Sequence, residues 1–223
     1  MLPTVKICGL MRKDDVSMCL RYGADILGFV VDYPRPVPWN LSAAAARELI
    51  SAVSGQTKTC VVTGGSPEKV ISLARGLRPY YIQLHANETL ADVRCIIREL
   101  RGSGVKIIKA IFQNTPDLEA VAADFCALGI HALLFDARTP DRATSSGTVD
   151  LSLFQKLQSA TNLPIILAGG ITPENAAEII MMSKAKIIDL MTGVEHCPGV
   201  KDERKVAALF RALQSEIHES YRV

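Results

Sequence analysis

Short apolar runs alternate with longer amphipathic segments along the whole chain. The apolar runs are typical of strands covered on both faces, and they predict strands at residues 5–9, 26–31, 59–63, 80–85, 106–112, 132–136, 164–168 and 185–190. The segments between them predict helices at residues 13–22, 42–53, 67–76, 89–102, 117–128, 151–160, 173–182 and 201–217. Eight strand-then-helix units with short links indicate an α/β fold, a single (β/α)8 TIM barrel.

A doubly wound open sheet is the alternative fold for strands that alternate with helices. That fold does not need eight regular units, and no Gly-x-Gly-x-x-Gly fingerprint follows the first strand. No linker or low-complexity segment divides the chain, so we expect residues 1–223 to form one domain. Two irregular stretches, 32–41 and 137–149, follow predicted strands and are therefore expected at the carboxyl-terminal face, where barrels carry active sites.

Composition and charge exclude several classes of function. Lys and Arg number 25 against 23 Asp and Glu, without a basic stripe, so we expect no nucleic-acid partner. No apolar run reaches membrane-spanning length, and the first residues do not resemble a signal peptide. The six cysteines form no Cys-x-x-Cys pair, as expected for reduced thiols. These features predict a soluble cytoplasmic protein without a membrane partner, either a monomer or a homodimer.

The segment after the seventh predicted strand indicates a phosphate site. Gly169 and Gly170 let the main chain approach a ligand closely. Thr172, Pro173 and Glu174 are typical of the first turn of a helix. Helix starts and glycine turns bind phosphate through oriented N–H groups, although an ordinary tight turn is the other interpretation of paired glycines.

Chemically active side chains close several of the predicted strands. Because the carboxyl ends of barrel strands open into one mouth, we expect these side chains to lie together. They are a thiol, a guanidinium, an imidazole and two carboxylates, at Cys8, Arg35, His85, Asp136 and Asp189. Core packing alone does not require so many polar groups at one end of a barrel.

Five motifs carry a family resemblance that covers essentially the whole chain. They read KICGL at 6–10, GFV at 28–30 with PR at 34–35, QLH at 83–85, LAGGITPEN at 167–175, and DLMTGVEHCPGVKD at 189–202. In this order they resemble the phosphoribosylanthranilate isomerase family of tryptophan biosynthesis. The resemblance implies a barrel of the ribulose-phosphate-binding type, a phosphorylated small-molecule substrate and no cofactor. It also implies an Amadori rearrangement of N-(5-phosphoribosyl)anthranilate to 1-(2-carboxyphenylamino)-1-deoxyribulose 5-phosphate.

By this resemblance, Cys8 is the general base and Asp136 the general acid. Opening the ribose ring needs a proton on the ring oxygen, and forming the enolamine needs removal of the proton from C2′. A cysteine must be assisted toward the thiolate, and Lys6 lies on the same strand face as Cys8. Asp136 must be kept protonated, which burial or a nearby anion can achieve.

Further roles concern binding. The resemblance implies that Arg35 contacts the anthranilate part of the substrate, as a guanidinium can by pairing or stacking. We expect Asp189 to orient a ribose hydroxyl and His85 to line the pocket, although a strand-end histidine is often only a hydrogen-bonded polar residue. The phosphate site between strands seven and eight is then completed by four residues, Gly169, Gly170, Thr192 and Gly193.

The chain departs from the family pattern at three places. Residues 143–147 read ATSSG, where the family usually carries Gly-Gly-Thr/Ser-Gly, so we expect a stiffer loop of different shape. Met191 stands where a small polar residue is common, and Ala86 replaces a glycine. Either side chain would narrow the pocket.

Two other functions compete with the isomerase. One is a related phosphosugar barrel with another isomerase or epimerase activity. A metal-dependent epimerase needs a cluster of histidines and carboxylates, but only His85 among four histidines closes a strand, so we predict no metal site. Orotidine phosphate decarboxylases carry Asp-x-Lys-x-x-Asp, whereas residues 136–141 read DARTPD. The other is a non-catalytic binding protein, which would need neither Cys8 nor Asp136.

Overall fold

Eight parallel strands pair in chain order and close into a barrel, which confirms the predicted (β/α)8 fold. The structure is a computed structural model that describes residues 2–138 and 147–220. The strands are β1 (Thr4–Ile7), β2 (Ile26–Val30), β3 (Lys58–Thr63), β4 (Tyr81–Leu84), β5 (Lys106–Phe112), β6 (Ala132–Asp136), β7 (Ile165–Ala168) and β8 (Ile187–Leu190). The helices are α1 (Lys13–Tyr22), α2 (Ala43–Ser51), α3 (Pro67–Leu77), α4 (Leu90–Glu99), α5 (Leu118–Ala127), α6 (Leu151–Ala160), α7 (Ala176–Ser183) and α8 (Glu203–Ser220).

Side-chain caps begin several of the outer helices. Ser42 accepts a hydrogen bond from the main-chain N–H of the third helical residue of α2, and Ser66 does the same for α3. Thr89 and Asp92 form a reciprocal capping box at the start of α4. These caps satisfy N–H groups that have no partner inside the helix, so the local sequence defines where these three helices begin.

The apolar side chains form two layers. The larger cluster lies between the strands and the outer helices, and a smaller one fills the barrel interior. Alternate residues of each strand point inward, because side chains in a strand alternate between faces. On β1 and beyond its end, this period places Lys6 and Cys8 inside the barrel, where they join the interior residues at the mouth.

Several element boundaries differ from the prediction, and two of these differences have a local cause. Helix α7 begins at Ala176, because Pro173 to Asn175 form a turn in which the Asn175 side chain accepts from the Thr172 N–H (2.7 Å). The last helix was predicted to begin at residue 201, but α8 begins at Glu203 because residue 201 lies in a strand. That strand, β10 (Val200–Lys201), pairs with β9 (Glu195–Cys197) in a hairpin too short to show a sequence period.

The two irregular stretches follow β2 and β6, at the carboxyl end of the barrel. The first is closed by a bridge between Val31 and Leu41. The predicted change of loop shape at 143–147 lies outside the described residues except for Gly147. Across residues 2–138 and 147–220, no helix is long and apolar enough to cross a membrane.

Candidate active site

A cavity opens at the carboxyl end of the barrel, and its lining divides into a polar and an apolar side. The polar side is formed by Gln83, His85, Asp136 and Arg138. The apolar side is formed by Val30, Tyr33, Val37, Trp39, Val62 and Met191. Cys8 directly follows β1 and Asp189 lies on β8, and these two residues complete the lining. The structure thus brings together four of the five strand-end residues that the sequence singled out.

Cys8 lies next to a buried ion pair between the first and last strands of the barrel. Lys6 and Asp189 are partners in the register of β1 and β8, and the Lys6 Nζ lies 2.5 Å from Asp189 Oδ2. Burial opposes the charge of Lys6, but Asp189 and the neighbouring thiols outweigh it and raise the pKa of the amine. Gly28 leaves room for the thiol, since a Cβ there would lie 2.7 Å from Cys8 Sγ.

The surroundings of Cys8 favour the neutral thiol over the thiolate. Burial raises the pKa of the thiol, the charge of Lys6 lowers it in part, and Asp189 raises it again. Lys6 therefore lowers the pKa of Cys8, as expected from the sequence. Its effect is smaller than that of burial, because moving a thiolate out of water is costly.

The pKa of Asp136 is lowered in this structure, which is the opposite direction from the one that a general acid needs. Burial of the carboxyl would raise its pKa, but hydrogen bonding to His85 and the charge of Arg138 lower it to about 2. The His85 Nε2 lies 3.5 Å from Asp136 Oδ2. The main-chain N–H and Nε of Arg138 lie 2.9 Å and 3.3 Å from Oδ1. The nearby charge is thus a cation rather than the anion considered from the sequence.

His85 is oriented by its own strand and by the loop after β2. The Gln83 Nε2 lies 2.9 Å from the His85 Nδ1, and the Cys60 thiol lies 3.8 Å from the Gln83 Oε1. With the amide donating, Nδ1 accepts and Nε2 carries the proton that faces the carboxylate. The Tyr33 hydroxyl donates to the His85 carbonyl (2.7 Å), which holds the strand end.

Asp189 presents a second oxygen that has no hydrogen-bond partner among the described residues. Its Oδ2 pairs with Lys6, whereas Oδ1 is buried and unpaired. A buried acceptor of this kind is costly unless something donates to it. Because Asp189 lines the mouth beside Cys8, Oδ1 is suited to accept a hydroxyl of a bound ligand.

The four predicted phosphate residues lie together at the ends of β7 and β8. Gly169 and Gly170 have φ of +96° and +66°, values that favour glycine. A Cβ on Gly193 would collide with the carbonyl oxygen of Ile171, so the loops after the two strands are in contact. Thr192 is exposed and begins a short 3₁₀ helix. None of these four residues lines the cavity described above, which they adjoin through Gly169 beside the Asp136 carboxylate.

Arg35 lies apart from this cavity lining. It is partly buried in the loop after β2, whereas the guanidinium that reaches the lining belongs to Arg138. Sequence reasoning missed Arg138, although its spacing of two from Asp136 was a usable signal. Met191 lines the cavity as expected, but Ala86 packs against Gly64 instead.

Sequence reasoning also missed Trp39 and the β9–β10 hairpin, which carries the hydrogen-bond partner of Trp39. Trp39 lines the cavity and donates to the carboxylate of Glu195 (2.8 Å). No local pattern joins two residues that are 156 positions apart. Among the described residues, no group of three or more His, Cys, Asp or Glu is arranged to hold a metal ion.

The fold and the site together define a (β/α)8 barrel with a cavity at its mouth, which is where barrel enzymes carry their active sites. A family model described as N-(5'-phosphoribosyl)anthranilate (PRA) isomerase matches residues 5–212. The chain therefore belongs to the N-(5'-phosphoribosyl)anthranilate isomerase family, and it is an isomerase of tryptophan biosynthesis.

Relatives and solved structures agree with this assignment. An N-(5'-phosphoribosyl)anthranilate isomerase of Nitrobacter winogradskyi is 34% identical over 95% of this chain and 92% of its own. The phosphoribosyl anthranilate isomerase structure from Thermus thermophilus is 30% identical, with a TM-score of 0.81 over 95% of this chain and 98% of that chain. A further isomerase structure, 25% identical with a TM-score of 0.79 over 96% of this chain and all of its own, contains reduced 1-(o-carboxyphenylamino)-1-deoxyribulose 5-phosphate.

Proposed function

We propose that this chain catalyses the Amadori rearrangement of N-(5-phosphoribosyl)anthranilate, with Cys8 as general base and Asp136 as general acid. Family membership supports the reaction. The observation that supports the residues is their placement, because both line one cavity between an apolar wall and the glycine turn of β7. A binding protein would need neither proton carrier.

The substrate is bound at three regions of the mouth. Its phosphate contacts the turns after β7 and β8, formed by Gly169, Gly170, Thr192 and Gly193, as is usual for phosphate in such barrels. A ribose hydroxyl donates to the unpaired Oδ1 of Asp189. The anthranilate part lies toward the loop after β2, which carries Arg35.

The first step opens the ribose ring. Asp136 gives its proton to the ring oxygen, the C1′–O bond breaks, and the nitrogen lone pair forms the cationic Schiff base. His85 contacts the same carboxyl group from the other side and fixes its direction. Neutralising the leaving oxygen in this way is what a general acid contributes.

The second step forms the enolamine and then the ketone. The Cys8 thiolate removes the proton from C2′, and the released electrons form the C1′–C2′ double bond and neutralise the Schiff base nitrogen. Return of that proton from Cys8 to C1′, with transfer of the O2′ proton to Asp136, gives the aminoketose. Both residues regain their starting forms, so no cofactor is consumed.

This chemistry needs Cys8 as the thiolate and Asp136 as the protonated acid. The structure favours the thiol of Cys8 and the carboxylate of Asp136. Two features of the substrate act in the required direction. The substrate phosphate, bound at the turn of Gly169 beside Asp136, brings a negative charge that raises the pKa of the carboxyl. The cationic Schiff base next to Cys8 favours the thiolate, in addition to the charge of Lys6.

Substitution of the two proton carriers tests the proposal. Cys8→Ala and Asp136→Asn should each lower kcat by about 10²–10⁴, with only small changes in affinity for the reduced product analogue. Binding persists because the phosphate turns and Arg35 are remote from the reacting carbons. Turnover is measured with freshly formed phosphoribosylanthranilate, and affinity by calorimetry.

Cys19→Ala is the matched control, because Cys19 is a buried thiol in α1 that does not line the cavity. It should keep near-normal kcat. Near-normal turnover of Cys8→Ala would remove the base from this mechanism. Failure of the folded wild-type protein to turn over the substrate or to rescue a tryptophan auxotroph would favour another phosphosugar reaction.

Cell location and assembly form part of the same proposal. The six free cysteines support a cytoplasmic, reducing environment. We propose one barrel domain spanning residues 1–223 that works as a monomer or a homodimer, without a nucleic-acid or membrane partner.

A further inference from the structure

Trp39 is the only tryptophan of the chain and lies on the apolar side of the mouth. It is 2% exposed, although it belongs to the loop after β2. Its ring packs beside Met191 over Gly9, since a Cβ on Gly9 would lie 3.1 Å from Trp39 Cδ1 and 2.9 Å from Met191 Cγ. A large ring and a long thioether thus share one wall near Cys8.

A buried carboxylate fixes the Trp39 ring in this place. The Trp39 Nε1 donates to Glu195 Oε1 at 2.8 Å, and the Lys201 Nζ lies 2.8 Å from the same oxygen. Glu195 and Lys201 are each 5% exposed. Lys201 also donates to the Met191 carbonyl (3.2 Å), so one ion pair anchors both parts of the wall.

The remaining neighbours of Trp39 on this side are apolar. Val30, Val37 and Val62 lie on the same side of the cavity, whereas Gln83, His85, Asp136 and Arg138 lie on the other. A ligand with one apolar, planar end and one hydroxylated end matches this division. An aryl ring packs on aromatic and thioether groups, which offer polarisable surface without competing for hydrogen bonds.

We propose that Trp39, positioned by Glu195, is a specificity-determining residue that contacts the aryl ring of the substrate. The inference rests on the proposed function, because it takes an N-aryl aminosugar phosphate as the ligand. Trp39 and Met191 distinguish an aryl amine from an alkyl amine or a bare sugar phosphate, because they form the part of the lining that an aryl ring can contact.

The test compares two ligands in the wild type and in Trp39→Ala. The aryl probe is reduced 1-(o-carboxyphenylamino)-1-deoxyribulose 5-phosphate, and the probe without the ring is ribulose 5-phosphate. Affinity for the aryl probe should fall about tenfold or more, whereas affinity for ribulose 5-phosphate should change less than about threefold. Equal weakening of both probes, or of neither, would overturn the assignment.

Trp39→Phe distinguishes the contribution of the aromatic ring from that of the hydrogen bond to Glu195. It keeps an aromatic surface but has no N–H for Glu195, so the loss for the aryl probe should be smaller than in the alanine variant and again absent for ribulose 5-phosphate. This variant also serves if Trp39→Ala does not fold. A loss in Trp39→Phe that is the same for both probes would show that the anchor only supports the fold.

The single tryptophan gives an independent readout in the unchanged protein. The anthranilate ring absorbs where tryptophan emits, so the aryl probe should quench Trp39 emission strongly, and ribulose 5-phosphate should quench it weakly. Equal quenching would count against contact. If the wild type binds ribulose 5-phosphate but not the aryl probe, the proposed function itself fails; if it binds both and Trp39→Ala does not discriminate, only this inference fails.

Discussion

At the scale of single residues, the pKa values of the two proposed proton carriers are shifted in opposite directions by their surroundings. Cys8 is buried and its pKa is raised, although Lys6 lies beside it. Asp136 is buried as well, yet its pKa is lowered to about 2 by the hydrogen bond with His85 and the charge of Arg138. Burial alone therefore does not decide the protonation state of a barrel residue; the partners that topology brings to it do.

The raised pKa of Cys8 has a consequence for alkylation. The thiolate is the reactive form, so iodoacetamide should label Cys8 slowly at pH 7 and faster as the pH rises. Cys197 is exposed and provides the comparison within the same molecule. The measurement is the labelling rate of each cysteine by peptide mass spectrometry between pH 6 and 10.

Lys6→Met removes the charge that favours the thiolate, and it should move the labelling curve of Cys8 to still higher pH. The curve of Cys197 should stay in place. Labelling of Cys8 at pH 7 that is faster than labelling of Cys197 would show that the pKa of the Cys8 thiol is not raised.

At the scale of elements, the turns after β7 and β8 are shaped by contacts between loops. A Cβ on Gly170 would collide with the carbonyl oxygen of Gly147, and one on Gly193 with that of Ile171. Glycine at these positions thus has a structural reason besides the phosphate. The contact at Gly193 joins the turns after β7 and β8, and the contact at Gly170 joins the β7 turn to the segment after β6, so the proposed phosphate site is assembled from separate elements before a ligand arrives.

Gly170→Ala should weaken both the fold and phosphate binding. Gly102→Ala is the matched control, because Gly102 also has a positive φ (+77°) but its Cβ would meet nothing within 4 Å. Both substitutions cost about 1 kcal/mol for the left-handed backbone, and the collision at Gly170 adds about 1–3 kcal/mol. Urea unfolding measures the stability, and the Kd of inorganic phosphate measures the site. Equal effects of the two substitutions would show that the contact with Gly147 is unimportant.

At the scale of the whole molecule, the barrel buries several ion pairs, one of which joins its first and last strands. Lys6 with Asp189, Lys109 with Glu88, and Lys201 with Glu195 are each within 2.8 Å. Such pairs cost desolvation, and removal of one partner leaves an uncompensated charge. They therefore couple closure of the barrel to correct placement of the mouth loops.

Acid should destabilise the fold partly through Asp136. Its pKa is lower in the folded protein, so the stability it contributes is fully present above about pH 4 and is lost as the pH falls toward about 2. The contribution is roughly 2 kcal/mol. Urea unfolding of the wild type and Asp136→Asn between pH 7 and 2.5 measures it. The stability difference between the two proteins should shrink as the pH falls; a constant difference would show that Asp136 titrates normally.

The alternation of apolar and amphipathic segments was enough to predict eight strand-and-helix units. The predicted ends of the strands and helices agree with the structure within a few residues. The strand-end rule then located Cys8, His85, Asp136 and Asp189, because the carboxyl ends of parallel strands meet at one face of a closed barrel. These conclusions depend on periodicity and chain order, which are local properties of a sequence.

The ionisation of the site and the shape of its mouth were decided only by tertiary structure. Lys6 and Asp189 are 183 positions apart, and Trp39 and Glu195 are 156 apart. The β9–β10 hairpin that carries Glu195 is too short for a sequence period. Charge–charge interaction and desolvation depend on distances of a few ångströms across the barrel, so the pKa of Asp136 and the wall around Trp39 followed from barrel closure and loop packing rather than from any local pattern.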